Sequence, residues 1–210
     1  MKKISFIITI SILLISNILN GQTATKIIDN LILQAKTNAI STDFTLTVKE
    51  KNSKQGQTIK GNFTMKSNKF IMKMNEMVVY FNGKTQWAYS SENKEVTITE
   101  PTSEELAQIN PMAVLYSYRE TFDIKFAANN SNSANYVIEM TPKTKISDLD
   151  KMIVTIEKTT GNLLSIMQTE KNGNALTLTL SNYQSKIAIA DSAFVFDIKK
   201  NKNVSVNDLR

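Results

Sequence analysis

Histidine and cysteine are both missing from the 210 residues. Without imidazole there is no ordinary general base, and without either residue there is no His/Cys zinc site and no thiol nucleophile. The carboxylates that fall together do so at Glu104-Glu105, where a helix is expected to begin, and at Asp148 and Asp150, in an expected loop. The first pair complements a helix dipole and the second reads as a solvated turn. The glycine and glutamate spacing of a calcium loop is missing, as is a glycine-rich phosphate loop. The expectation is therefore a protein that is not an enzyme, with no catalytic residues, no metal and no cofactor. The notable chemistry is apolar. Four of the nine methionines, Met65, Met72, Met74 and Met77, alternate with polar neighbours, and Trp87 and Tyr89 lie two residues apart. Methionine is flexible and polarisable, so such a cluster suits a ligand of variable shape, and it equally suits an irregular core.

The elements that would position these residues begin after an export signal. Lys2 and Lys3 precede an apolar run from Ile4 to Leu19, diluted by Ser5, Thr9, Ser11, Ser16 and Asn17, and the run closes at Asn20-Gly21. This predicts a signal peptide over 1–21 and a single domain over 22–210. With no cysteine, the mature chain carries no thiol to acylate and must be stable from its core alone. The formal charge of +6 comes from dispersed lysines without a long basic run, which argues against nucleic acid and leaves a weak attraction to anionic membrane surfaces or acidic partners.

From Thr25, Ile28, Leu31, Ile32, Ala35 and Ala39 mark the stripe of one amphipathic helix. The period then changes to two. Phe44/Leu46/Val48, Ile59/Gly61/Phe63/Met65, Phe70/Met72/Met74 and Met77/Val79/Phe81 read as successive strands, and Asn82-Gly83 predicts a type I′ hairpin turn to the strand holding Trp87 and Tyr89. Gly161-Asn162 and Asn172-Gly173 punctuate further strands, and Phe194, Phe196 and Ile198 alternate as a last one. One helical insertion interrupts the meander: Thr102 and Glu105 have capping-box spacing, Leu106 and Ile109 follow, and Asn110-Pro111 starts a second helix through Met112 and Leu115. The fold class predicted is α+β, mainly β: a strongly curved antiparallel sheet with an N-terminal helix and a helical insertion covering an apolar face.

Three stretches resemble the LolA-type periplasmic lipoprotein carriers. Phe81-Asn82-Gly83-Lys84-Thr85-Gln86-Trp87-Ala88-Tyr89 is similar to the family's Asp-Gly-Lys-Thr-x-Trp-x-Tyr hairpin. Thr141-Pro142-Lys143 through Thr159-Thr160-Gly161 and Leu163-Leu164-Ser165-Ile166 resembles its Thr-Pro-Lys segment and the two strands after it. Phe194-Val195-Phe196, with the closing Val206-Asn207-Asp208-Leu209-Arg210, is similar to its Phe-x-Phe and its valine-aspartate-arginine ending. The resemblance runs in order along the whole mature chain.

It implies an incomplete antiparallel barrel with a helical lid over a hydrophobic cavity, in a monomer working in the periplasm of a Gram-negative cell. The expected partners are acylated lipoproteins, an inner-membrane lipoprotein-releasing transporter and an outer-membrane acceptor whose identity stays open. On this reading Phe44, Leu46, Phe63, Met65, Phe70, Met72, Trp87 and Tyr89 line the lipid-binding cavity, and Leu106, Ile109, Met112 and Leu115 belong to the lid. Well-known members carry an Arg-Pro pair whose arginine latches the lid; here Ser67-Asn68 stand at those positions. The alternative is a lipid- or lipoprotein-sensing module on the same scaffold, since fold does not fix function.

Overall fold

The computed structural model describes residues 23–102, 105–106, 113–128, 134–144 and 148–210. The expected signal peptide and the lid candidates Ile109 and Met112 lie outside them. Helix α1 (Ala24–Thr37) starts where the side chain of Thr23 accepts a hydrogen bond from the Lys26 amide, and it buries Ala24, Ile27, Ile28, Leu31 and Ala35. It ends at Asn38, whose extended backbone leads straight into β1 (Ala39–Lys49). Strands β2 (Gln57–Lys66), β3 (Lys69–Met74), β4 (Met77–Phe81), β5 (Gln86–Ser90) and β6 (Glu95–Thr99) follow as an antiparallel meander.

The chain then makes two short helical turns, α2 (Ala113–Tyr116) and α3 (Tyr118–Thr121). Strands β7 (Phe122–Phe126), β8 (Asn135–Pro142), β9 (Leu149–Glu157), β10 (Leu163–Glu170) and β11 (Ala175–Ser185) form a second meander. Pairing of β1 with β11 joins the two into one sheet of order β12-β6-β5-β4-β3-β2-β1-β11-β10-β9-β8-β7. The last strand, β12 (Ser205–Asp208), pairs parallel to β6.

The sheet is curved and does not close, so the expected incomplete barrel takes the form of an open sheet with edges at β7 and β12. Helix α1 touches β1 and β2 and also β7, six strands from β2 in the order. At about 4.8 Å per step a flat sheet would separate those strands by roughly 29 Å. One apolar cluster nevertheless joins α1 to side chains from both meanders, because the face rolls around the helix.

The capping box forms as the spacing predicts: Thr102 N–H donates to Glu105 Oε2 (2.8 Å) and Glu105 N–H to Thr102 Oγ1 (3.3 Å). Two expectations are corrected. The turn at Asn82-Gly83 is a four-residue loop, with Phe81 paired to Gln86, and Gly83 is its one positive-φ residue (+101°). The Asn82 side chain accepts from the amides of Lys84 (3.0 Å) and Thr85 (2.9 Å), which holds a wider loop than a type I′ turn, where both central residues have positive φ. The segment from Phe194 to Ile198 is not a strand either. It opens with a 3-10 turn at Asp191–Phe194, and its alternation reflects two buried phenyl rings, Phe194 and Phe196, on a strap.

Candidate functional site

The face of the sheet on which α1 rests is the apolar surface from which a site can be built. Cross-strand ladders assemble it. Ile40, Met65, Phe70 and Phe81 form one row, Thr42, Phe63, Met72, Val79 and Ala88 the next, and Phe44, Gly61, Met74 and Met77 a third. The first row is fully covered, with Phe70 1% exposed at its centre. Its ring lies 5.6 Å from that of Phe63 and 5.4 Å from that of Phe81. In the third row glycine is required: a Cβ at Gly61 would sit 2.1 Å from the Lys73 carbonyl oxygen and 2.7 Å from the Phe44 ring, which lies over the vacant side of the backbone.

Further along the strands the cover thins. Leu46, Met72 and Met74 are half-buried, and Val48, Ile59 and Met77, near the ends of β1, β2 and β4, are 43%, 43% and 44% exposed. Leu46 pairs with Ile59 and with Leu178, Val48 with Leu176, and Met74 with Met77, so these residues are contiguous across β11, β1, β2, β3 and β4. An apolar row this continuous and this exposed is unusual for a surface with no partner. It flanks a buried core instead of standing alone. Chemically it offers methionine and branched aliphatic side chains to an apolar ligand, with no group on it that ionises.

Two sequence-expected wall residues are elsewhere. Trp87 pairs with Tyr80 and Tyr89 with Val78, which puts both on the opposite face of the sheet from Phe63 and Met72. There Trp87, Val96, Ile98 and Phe196 are buried together, with Tyr80, Tyr89 and Val204 packed around them. Phe196 stacks on Tyr89 at 5.0 Å and meets Tyr80 edge-on at 5.8 Å. Phe44, Leu46, Phe63, Met65, Phe70 and Met72 do share the α1 face. The exposed members Val48, Ile59 and Met77 extend it beyond the residues singled out from the sequence.

The described turns α2 and α3 are tied to α1. Leu115 and Tyr118 are buried in the main cluster and Leu106 packs against it. Tyr118 Oη donates to Asp29 Oδ1 (2.6 Å), and the Arg119 guanidinium donates to Asp29 Oδ2 (2.5 Å). Burial, and then the Asp29 carboxylate, push the Tyr118 phenol up to about 12. Lys143 Nζ donates to the Arg119 carbonyl (2.6 Å), and Lys36 sits over the Tyr116 ring at 5.3 Å. The Tyr116 hydroxyl is buried with no hydrogen-bond partner among the described residues, and burial raises its pKa. Ser67-Asn68 form the tight turn between β2 and β3, with Lys66 paired to Lys69 and Ser67 at φ +56°. Both of those lysines hold Asp191, whose carboxyl they pull down to about 2.

Nothing among the described residues gathers three metal-binding side chains, and no described helix is long and apolar enough to cross a membrane. An open cleft of about 600 Å³ lies at the end of α1, walled by Thr37, Lys66, Lys186 and Ile189. Lys66 is already paired there with Asp191, and the cleft is separate from the methionine row.

Comparison with known proteins agrees with the architecture. The chain is similar over 88% of its length, and 98% of the other's, to the crystal structure of an uncharacterized conserved protein from Thermus thermophilus, with a TM-score of 0.57 and 9% identity. A LolA superfamily protein from Nitrosomonas europaea aligns with a TM-score of 0.45 and 14% identity over 83% of this chain and 98% of that one. No sequence among the curated proteins matches. The family model described as "Outer membrane lipoprotein carrier protein LolA" matches residues 35–197, from the last turn of α1 to the segment after the 3-10 turn, and the chain therefore belongs to the LolA family.

Proposed function

We propose that this protein is a periplasmic carrier that shelters the acyl chains of lipoproteins on the α1 face of its sheet and delivers them to the outer membrane. The observation that carries the reading is the apolar row Leu46, Val48, Ile59, Met72, Met74 and Met77, which continues the core outward and stays half open. Each CH₂ of an acyl chain removed from water contributes roughly 0.8 kcal/mol, so two or three chains cannot travel through water without such a surface. Flexible thioethers let one surface fit chains of different length.

A carrier must also release. The insertion containing Leu106 and Leu115 acts as a lid, packing its own apolar side chains on the surface the cargo needs, so that the empty closed state competes with the filled one. In place of an arginine at the β2–β3 turn, Asp29 holds the lid through Tyr118 and Arg119. On this account the chain is exported by cleavage after Gly21, works as a monomer, takes acylated lipoproteins from an inner-membrane releasing transporter and passes them to an outer-membrane acceptor.

The test is transfer. Membranes bearing a radiolabelled acylated lipoprotein are incubated with the exported protein, the soluble complex is isolated, and acceptor membranes are added. The carrier reading expects lipoprotein to leave the donor in a soluble complex and to reappear in the acceptor. A soluble complex that never discharges points to the sensing alternative, and no complex at all contradicts both.

A further inference from the structure

The open apolar row ends at a rim of lysines. Val48 is followed by Lys49, the last residue of β1, and by Glu50, Lys51 and Lys54 in the loop to β2, all exposed, and three lysines against one glutamate leave that tip at +2. Among the described residues none of these three lysines enters an ion pair. The other turns at this end of the sheet carry mixed charge: Glu76 between β3 and β4, Glu92 and Lys94 between β5 and β6, Asp148 and Asp150 at the start of β9, and Glu170 with Lys171 at the turn from β10 to β11. The cationic tip therefore lies beside Val48 and Ile59, two of the three most exposed side chains of the row, while Met77 on β4 adjoins Glu76.

Exposed aliphatic groups next to a net-cationic loop match one surface closely. A bilayer containing anionic lipid offers phosphates at the level of the lysines and an acyl boundary a few ångströms deeper, where Val48 and Ile59 would lie. We propose that the β1–β2 rim docks directly on an anionic bilayer, placing the open end of the apolar row against the headgroups so that an acyl chain passes between membrane and protein without crossing bulk water. The purpose of the docking rests on the carrier reading; the docking itself does not.

The exported protein is mixed with phosphatidylcholine vesicles, with or without phosphatidylglycerol, and floated on a density gradient. It floats with the phosphatidylglycerol vesicles, far less with the neutral ones, and binding falls as salt is raised. Substituting Lys49→Gln, Lys51→Gln and Lys54→Gln weakens binding about fivefold per lysine, and Ile59→Asp weakens it further. All four positions are exposed, and unchanged far-ultraviolet dichroism checks the fold. Equal flotation with both vesicles, no flotation, or flotation indifferent to these substitutions overturns the proposal. So does light scattering that finds a dimer dissolved by Ile59→Asp, which would make the row an interface between two copies. Solution affinity for a triacylated lipopeptide separates the two ideas: the lysine variants keep it, and wild-type protein that docks yet binds no lipopeptide retains this inference while losing the carrier reading.

Discussion

Met72 and Trp87 sit in neighbouring parts of one sheet and on opposite faces, and replacing each by alanine should give opposite phenotypes. Met72 is partly buried and contributes three apolar groups beyond Cβ, about 2.4 kcal/mol of transfer energy if fully covered. About two-thirds or more of it is already dry in the free protein, so a bound acyl chain gains at most about 0.8 kcal/mol from the rest, and Met72→Ala should weaken acyl binding by up to about fourfold. Its stability cost, which comes from the larger part already dry, should exceed that, plus a small cavity term. Trp87 is 8% exposed and packs with Phe196, so Trp87→Ala should cost about 3–5 kcal/mol of stability while the folded fraction keeps its acyl affinity. Trp87→Phe is the milder variant if alanine prevents folding. Titration with a fluorescent triacylated lipopeptide measures the affinities and urea unfolding the stabilities. Trp87 is the one tryptophan in the sequence, so its own emission should hold its wavelength as ligand binds. A Trp87 variant that folds and loses affinity as much as the Met72 variant, or a large emission shift on binding, would refute the assignment of faces.

Three further outcomes follow from the packing. Gly61→Ala forces a methyl to 2.1 Å from the Lys73 carbonyl and into the Phe44 ring, so urea unfolding should show a loss of about 2–4 kcal/mol, and a change below about 0.5 kcal/mol would mean that β2 and β3 are not this close. Tyr116→Phe removes a buried hydroxyl that has no hydrogen-bond partner among the described residues, so its melting temperature should stay level or rise by about 2–4 °C; a clear fall would show that the hydroxyl is satisfied. Tyr118 has its phenol raised from 10 to about 12, a shift that contributes stability in full below the unfolded value and loses it as pH climbs through the folded one. Wild-type protein should thus destabilise between about pH 10 and pH 12, and less of that loss should remain in Tyr118→Phe, followed by phenolate absorbance and dichroism together.

Much of this was legible in the residues. Alternation located β1 to β5, the capping box formed at Thr102 and Glu105, and glycine punctuation marked the turns after β9 and β10. The α1 stripe put Ile28, Leu31 and Ala35 in the core, because a helix face and a strand face each announce themselves by period. The faces of Trp87 and Tyr89 were missed although the signal was present. An antiparallel pair joined by a loop of two or four residues matches odd positions with even ones, so Phe81 must share its face with Gln86 and Ala88, and Trp87 with Tyr80. The pairing of β1 with β11 was not readable, since strands separated by more than a hundred residues carry no local mark of their partnership. Nor was the exposure of Val48, Ile59 and Met77, which depends on where α1 stops covering the sheet. The strap at Phe194 and Phe196 imitated a strand because two anchoring rings two residues apart have the same period as a pleat.

The measurement closest to the central claim is equilibrium binding of a triacylated lipopeptide to the exported protein, compared with the same peptide unacylated and repeated with Ile59→Asp and Met74→Asp. The account predicts saturable binding that requires the acyl chains and is lost in both variants, whose folds stay intact. Wild-type protein that is folded and binds neither peptide, or aspartate variants that bind as wild type does, would contradict it.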